Sequence, residues 1–228
     1  MVAQHIAIDW ASIDIVCFDM DGTVLDLGYD NEFWLQTVPR LYAEKHGLPE
    51  AEAYERVLAL YEAQKGKLTW YCLDHWTEAL KLPLLEHKKR MADKIRFRPG
   101  AEALIRWLRA NKKLCYLVTN AHPDVLAIKL EQTSMESWFD VMVSAHQLGL
   151  AKEQPGFWQR FQQQYHLIPE RTLFIDDSEN VLAAAEQAGI GQLLAVAQPD
   201  LSQPARQQSR YPLVHDFFAM MPESNETG

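Results

Sequence analysis

From about residue 95 onward, short apolar runs alternate with segments of helical period. PGAEALIRWLRAN (99–111) spaces Leu104, Trp107 and Leu108 at helical intervals, with Pro99 near its start and Asn111 near its end. LCYLV (114–118) reads as a strand, DVLAIKLEQT (124–133) as a helix and FDVMVS (139–144) as a strand. PGFWQRFQQQY (155–165) is helical, with Phe157 and Phe161 one turn apart. TLFID (172–176) and LLAVA (193–197) are strands on either side of an Ala-rich helix, ENVLAAAEQAG (179–189). With IDIVCF (13–18), the pattern predicts five strands separated by helices. That is the signature of an α/β fold, a Rossmann-like parallel sheet with helices on both faces.

Residues 29–96 break the alternation. FWLQTVPRLYAEKHG and AEAYERVLALYEAQ are helical patterns, and no convincing strand accompanies them. The segment lies between the first and second strands. An insertion there sits over the carboxyl ends of the strands, where open α/β sheets bind ligands. The expected organisation is an α/β core from 1–28 and 97–221, a small helical cap over 29–96, and a disordered tail at 222–228. No internal repeat or low-complexity block interrupts it.

Composition narrows the function. Hydrophobic residues make up 48% and charged residues 23% of the 228, an ordinary globular balance. The net charge of −9 argues against a polymeric nucleic acid as partner. A small anionic substrate then needs local positive charge or a bound cation. The start, MVAQHIAIDW, lacks the basic region and apolar stretch of a signal peptide, and no apolar run reaches the length of a membrane span. The three cysteines show no CxxC spacing, and Cys17 and Cys115 sit inside apolar runs as core thiols do. The expectation is a cytoplasmic protein without disulfides or membrane contact, a monomer or weak homodimer.

In a parallel sheet all carboxyl strand ends share one edge. The first strand ends in Asp19 and Asp21, the second in Thr119-Asn120 and the fourth in Asp176-Asp177, and Lys152 follows the third. Taken singly, each has a plain structural reading: a solvated turn, a helix N-cap, a surface lysine, a helix-dipole acid. Taken together at successive strand ends, they form a constellation. Oxygen ligands suit a hard cation, Mg²⁺ above all. None of the eight histidines forms a ligand-spaced pair with another, which argues against zinc. An Asp carboxylate can attack phosphorus to form an aspartyl phosphate. Attack needs the phosphoryl oxygens neutralised and the leaving oxygen protonated. Lys152 and a cation can supply charge, Thr119 and backbone N–H groups hydrogen bonds, and Asp21 is placed to carry the proton.

DMDGT (19–23), Thr119 in LVTNAH, Lys152 and the acid pair in FIDDSEN (174–180) occur in an order that resembles the haloacid dehalogenase-like hydrolase superfamily. The resemblance implies Asp19 as nucleophile and metal ligand, and Asp21 as general acid/base with its backbone carbonyl on the metal. It further implies that Thr119 and the Asn120 backbone bind the phosphoryl group beside Gly22, with Lys152 neutralising nucleophile and phosphate. Asp177 would be the direct metal ligand, with Asp176 acting through water or through Lys152. Haloacid dehalogenases as a class lack an Asp at the place of Asp21, so its presence favours phosphoryl transfer.

LDLGYDNEFW (25–34), LTWYCLDHW (68–76), TNAHPDVLAIKLEQT (119–133) and RTLFIDDSE (171–179) further resemble the bacterial GMP/IMP nucleotidase branch, which implies a purine nucleotide as the phosphomonoester substrate. In the cap, Trp34, Trp70, Tyr71 and Trp76 can stack on a base, although aromatics at helical spacing more often build a core. Trp70 or Tyr71 is the preferred base contact. Asp30, Asn31, Asp74 and His75 can read a purine edge, but a solvated helix face is the plainer reading. Phosphoglycolate phosphatase, sugar-phosphate phosphatase and phosphoglucomutase share the core residues and are the alternatives within the enzyme class. A phosphonatase would use a cap lysine, with Lys65 and Lys67 as candidates. A non-enzymatic phosphoacceptor of the receiver type also groups acids, a hydroxyl and a lysine, but with the acid pair first and no helical insert. GxGxxG and P-loop patterns are absent.

Overall fold

The structure is a computed structural model that describes residues 8–222. Of the tail expected at 222–228, all but Pro222 lies outside the described residues. The chain begins its regular structure with β1 (Ile15–Phe18), four residues buried throughout. A helical insertion follows: α1 (Gly28–Glu32), α2 (Val38–His46), α3 (Glu50–Gln64), α4 (Leu73–Leu80) and α5 (Leu84–Arg90). The chain then alternates through α6 (Ala101–Ala110), β2 (Leu114–Thr119), α7 (Pro123–Thr133), β3 (Val141–Ser144), the short α8 (Ala145–Leu148), α9 (Phe157–Tyr165), β4 (Thr172–Asp176), α10 (Glu179–Gln187), β5 (Gln192–Val196) and β6 (Leu213–Val214).

The strands form one parallel sheet in the order β3-β2-β1-β4-β5-β6. The five expected strands are all present. β6 is added at the edge, and at two residues it is too short to carry a period. The order reverses at β1, which pairs with β2 on one side and β4 on the other. This is the topological switch point where such sheets open a crevice. Phe18 pairs with both Leu117 and Ile175, so the residues that leave β1, β2 and β4 emerge side by side.

Strand residues alternate between two cores. Val16, Phe18, Leu117 and Ile175 pack with Leu104, Ile105 and Leu108 of α6 on one face. Ile15, Cys17, Val118 and Phe174 pack with Phe157 and Phe161 of α9 and Leu182 of α10 on the other. Each large apolar side chain so buried contributes about 1.5–3 kcal/mol. Cys17 and Cys115 are buried among them, and burial raises the thiol pKa of Cys115 to about 12 and that of Cys17 further.

The inserted helices bury a third cluster of their own, including Phe33, Val57, Tyr61, Trp76 and Leu84, and Val125 of α7 joins it from the sheet side. Between α1 and α2 the chain widens into a π-helix over Phe33–Thr37. Pro39 has no N–H to give the Leu35 carbonyl, and Val38 N–H reaches back to Phe33 instead. The widened turn carries Trp34 and Leu35 to the wall of the cleft between insertion and sheet.

Candidate active site

The carboxyl edge of the sheet gathers the residues singled out in the sequence. Asp19 continues the β1 ladder by donating its N–H to the Ile175 carbonyl at 2.9 Å. Its Oδ1 accepts from Lys152 Nζ at 2.5 Å, and the same ammonium donates to Asp176 Oδ2 at 2.7 Å and to the Val118 carbonyl at 3.0 Å. Lys152 is buried, and all three of its partners come from strand ends. Asp176 Oδ1 also accepts from Ser178 N–H at 2.8 Å, so both its oxygens are engaged. Asp177 differs: its carboxylate accepts no hydrogen bond among the described residues. One carboxylate oxygen each from Asp19, Asp176 and Asp177 lie within 4.8 Å of one another.

Thr119 is buried at the end of β2, where its Oγ1 accepts from Ala121 N–H at 3.0 Å and keeps its proton to donate. The Asn120 side chain accepts from Lys152 N–H at 2.8 Å and donates to Glu153 Oε2 at 2.9 Å. Glu153 in turn accepts from the Tyr71 hydroxyl at 2.8 Å, tying the insertion to the sheet edge.

A second lysine was not foreseen. Lys129 of α7 is buried and donates to Asp21 Oδ1 at 2.5 Å and to Asp30 Oδ2 at 2.6 Å, while Lys88 of α5, also buried, reaches Asp30 Oδ1 at 2.7 Å. Asp30 is therefore neither a purine-edge reader nor part of a solvated face: both of its oxygens are held by lysines. The sequence carried a signal for both cations. Lys129 stands four residues after the buried Val125, and Lys88 four after the buried Leu84, so each occupies an inward helical position. Asn31 is likewise committed, donating to Asp200 at 2.8 Å. Asp74 remains exposed.

The electrostatics are those of an acid cluster short of positive charge. Asp19, Asp21, Asp30, Asp176 and Asp177 face the ammonium groups of Lys88, Lys129 and Lys152, with the Arg206 charge also reaching Asp177. Burial pushes the carboxyls of Asp19 and Asp21 up to about 6, against the pull of Lys152 and Lys129, respectively. Burial and then the charges of Asp176 and Asp19 hold Asp177 well above the carboxylate range. At Asp30, by contrast, Lys129 and Lys88 overcome burial and bring the carboxyl down to about 2. Lys129 and Lys152 stay charged because their paired carboxylates outweigh desolvation.

Gly22 follows Asp21 with φ +86°, and a Cβ there would meet Asp177 Cγ at 2.9 Å and Pro199 Cβ at 3.0 Å. Glycine is thus required both by the backbone and by the approach of the β4 loop. Arg98 braces the same turn from below, reaching the carbonyls of Gly22, Gln198 and Pro199. Arg206 holds the Asp177 carbonyl at 2.6 Å. Thr23, next in the motif, is buried, and its hydroxyl has no hydrogen-bond partner among the described residues.

A cavity of about 340 Å³ opens over these groups, in the range of small-molecule sites. Asp19, Asp21, Thr119, Asn120, Lys152, Asp176 and Asp177 form its floor, and Trp34, Tyr61, Trp70, Tyr71 and Trp76 belong to its wall. The expected aromatics divide. Trp76 is a core residue whose indole donates to the Trp70 carbonyl at 2.8 Å. Trp70 is 37% exposed and stands edge-to-face with Tyr71 at 4.8 Å. Lys65 is exposed and pairs with Glu62, away from this lining.

Residues 13–189 match the family model described as haloacid dehalogenase-like hydrolase. The chain is 39% identical over 219 residues, 96% of its length and 99% of the relative's, to the GMP/IMP nucleotidase YrfG of Escherichia coli strain K12. It is 24% identical over 188 residues, 81% of its length and 85% of the relative's, to the phosphorylated carbohydrates phosphatase of Thermotoga maritima. Among solved structures, a HAD phosphatase from Thermococcus onnurineus superposes with a TM-score of 0.74 at 20% identity, covering 90% of this chain and 95% of that one. At that identity the likeness is one of fold.

Proposed function

The chain belongs to the haloacid dehalogenase-like hydrolase family, and we propose that it is a Mg²⁺-dependent phosphomonoester hydrolase that releases the 5′-phosphate of GMP and IMP through an aspartyl phosphate. The observation that carries this reading is the Asp19–Lys152–Asp176 contact at the switch point, with Asp21 and Thr119 beside it under an aromatic-walled cavity. The purine substrate is supported by the nearly full-length similarity to the E. coli nucleotidase.

In this reading Lys152 holds Asp19 Oδ1, and Oδ2 attacks the phosphorus. As the bond from phosphorus to the nucleoside oxygen breaks, the Asp21 carboxyl gives that oxygen its proton. Asp21, now a carboxylate, then takes a proton from water. The water oxygen attacks the phosphorus of the aspartyl phosphate, releasing phosphate and restoring Asp19. A carboxyl tuned to about 6 exchanges protons readily in both directions near neutrality. Lys129 keeps Asp21 in place, and Thr119 with the Asn120 main chain binds the phosphoryl oxygens.

The oxygen-only donor set and its uncompensated charge fit a hard divalent cation. Asp19, Asp177 and the Asp21 carbonyl would hold Mg²⁺, which supplies the charge that the phosphoryl oxygens require. The division of labour between the acids follows from their partners: Asp176 is spent on Lys152 and Ser178, whereas Asp177 is free to ligate. Trp70, the more exposed aromatic of the wall, offers the face for the base.

A panel of GMP, IMP, phosphoglycolate and a sugar phosphate, each with Mg²⁺ or EDTA, tests the proposal. Turnover of GMP and IMP that EDTA suppresses is expected. Turnover of the sugar phosphate without GMP would replace only the substrate, in the direction of the Thermotoga relative. No turnover of any phosphomonoester with Mg²⁺ would remove the enzymatic reading.

A further inference from the structure

Three soft-metal ligands meet at the rim of the cleft, apart from the acid cluster. Cys72 caps the N-terminus of α4 in the insertion, His122 caps α7 after β2, and His146 lies in the first turn of α8 after β3. The thiol sulfur and one nitrogen from each imidazole lie within 4.8 Å of one another. The imidazoles are edge-to-face at 5.0 Å. His146 Nε2 is buried with no hydrogen-bond partner among the described residues, a state that native structures rarely leave unexplained. Asp74 stands 3.5 Å from His122 Nε2.

We propose that Cys72, His122 and His146 form a binding site for a soft divalent cation of the Zn²⁺ class, bridging the insertion and the sheet domain. One thiolate and two imidazoles are a zinc donor set, with a fourth position left for water or the Asp74 carboxylate. Binding releases the Cys72 proton to solvent. The histidines are 24 positions apart in the sequence and meet only because β2 and β3 are neighbours, so no spacing rule finds them. The donor type separates this site from the carboxylate site a few residues away. Because its ligands come from both sides of the cleft, an ion here ties the insertion to the sheet.

The test titrates the full chain with Co²⁺ and with Zn²⁺ in saturating Mg²⁺, so that the carboxylates are occupied. One equivalent of Co²⁺ is expected to give a thiolate-to-cobalt charge-transfer band in the near ultraviolet, which one equivalent of Zn²⁺ displaces. Cys72→Ser should abolish the band. Cys72→Ser and His146→Gln should each weaken Zn²⁺ binding at least tenfold and remove the rise in Tm that Zn²⁺ gives the native chain. Both variants should melt as the native chain does in EDTA. Absence of the band, or native Zn²⁺ affinity in both variants, would overturn the site and assign any bound metal to the carboxylates.

Discussion

At the scale of single residues, the site is a set of buried charges whose partners determine what each can do. Lys129 holds Asp21 and Asp30 at once. Lys129→Met leaves two buried carboxylates under-compensated, and removing one partner of such a group costs about 3–5 kcal/mol. Thermal or urea unfolding should show that loss, and kcat should fall with it. Asp177 has the opposite character. Its folded-state pKa is raised by burial and by Asp176 and Asp19, so its ionised form opposes folding. The stability it leaves intact is fully present below the unfolded carboxylate value, near pH 4, and is lost as pH rises through the higher folded value. Without metal, Asp177→Asn should therefore melt above the native chain at pH 7.5 and equal it near pH 4, a difference that calorimetry in EDTA reads. With Mg²⁺ the same variant should lose activity. A Tm unchanged at pH 7.5 would mean that Asp177 is not an uncompensated charge. Gly22→Ala meets both a positive φ and Asp177 at 2.9 Å. Strain of about 1–3 kcal/mol and a lower kcat are expected.

At the scale of elements, the core helices and strands were legible because their periods are clean. The helix expected over 99–111 is α6 (Ala101–Ala110), and the strand at 172–176 is β4 (Thr172–Asp176) without change. The insertion was legible as helical but not in its detail. Pro39 lies inside a helical pattern, and the chain answers it with a π-turn rather than a break. The second lysine pair escaped because a lysine at an inward helical position reads as a solvated side chain until its carboxylate partners are known. Glu153 escaped for the same reason: its value lies in joining Tyr71 to Asn120 across the cleft. Trp70 belongs to a short helical turn at the cavity wall. Loss of a stacking face is worth about 1–3 kcal/mol per base. Trp70→Ala should then raise KM for GMP about tenfold or more while kcat changes little, as steady-state kinetics on GMP would show. An unchanged KM would move the base to another wall.

At the scale of the whole molecule, the parallel sheet does most of the assembly. Asp19, Thr119, Lys152, Asp176 and Asp177 are up to 158 positions apart in the sequence, yet strand order and register bring them under one cavity. That convergence could be read from the sequence because every parallel strand ends on the same edge. What could not be read is how the insertion seats on that edge, because it does so through side chains such as Val125, Tyr71 and Asp30 rather than through any periodic pattern. Among the described residues no helix is long and apolar enough to cross a membrane. Asp19 is the group proposed to attack phosphorus. Phosphate release from GMP with Mg²⁺, compared between the native chain and Asp19→Asn, tests it most directly. A fall in kcat of at least about a thousandfold is expected, in a variant that still folds. A folded Asp19→Asn protein that keeps kcat within tenfold of native would contradict it.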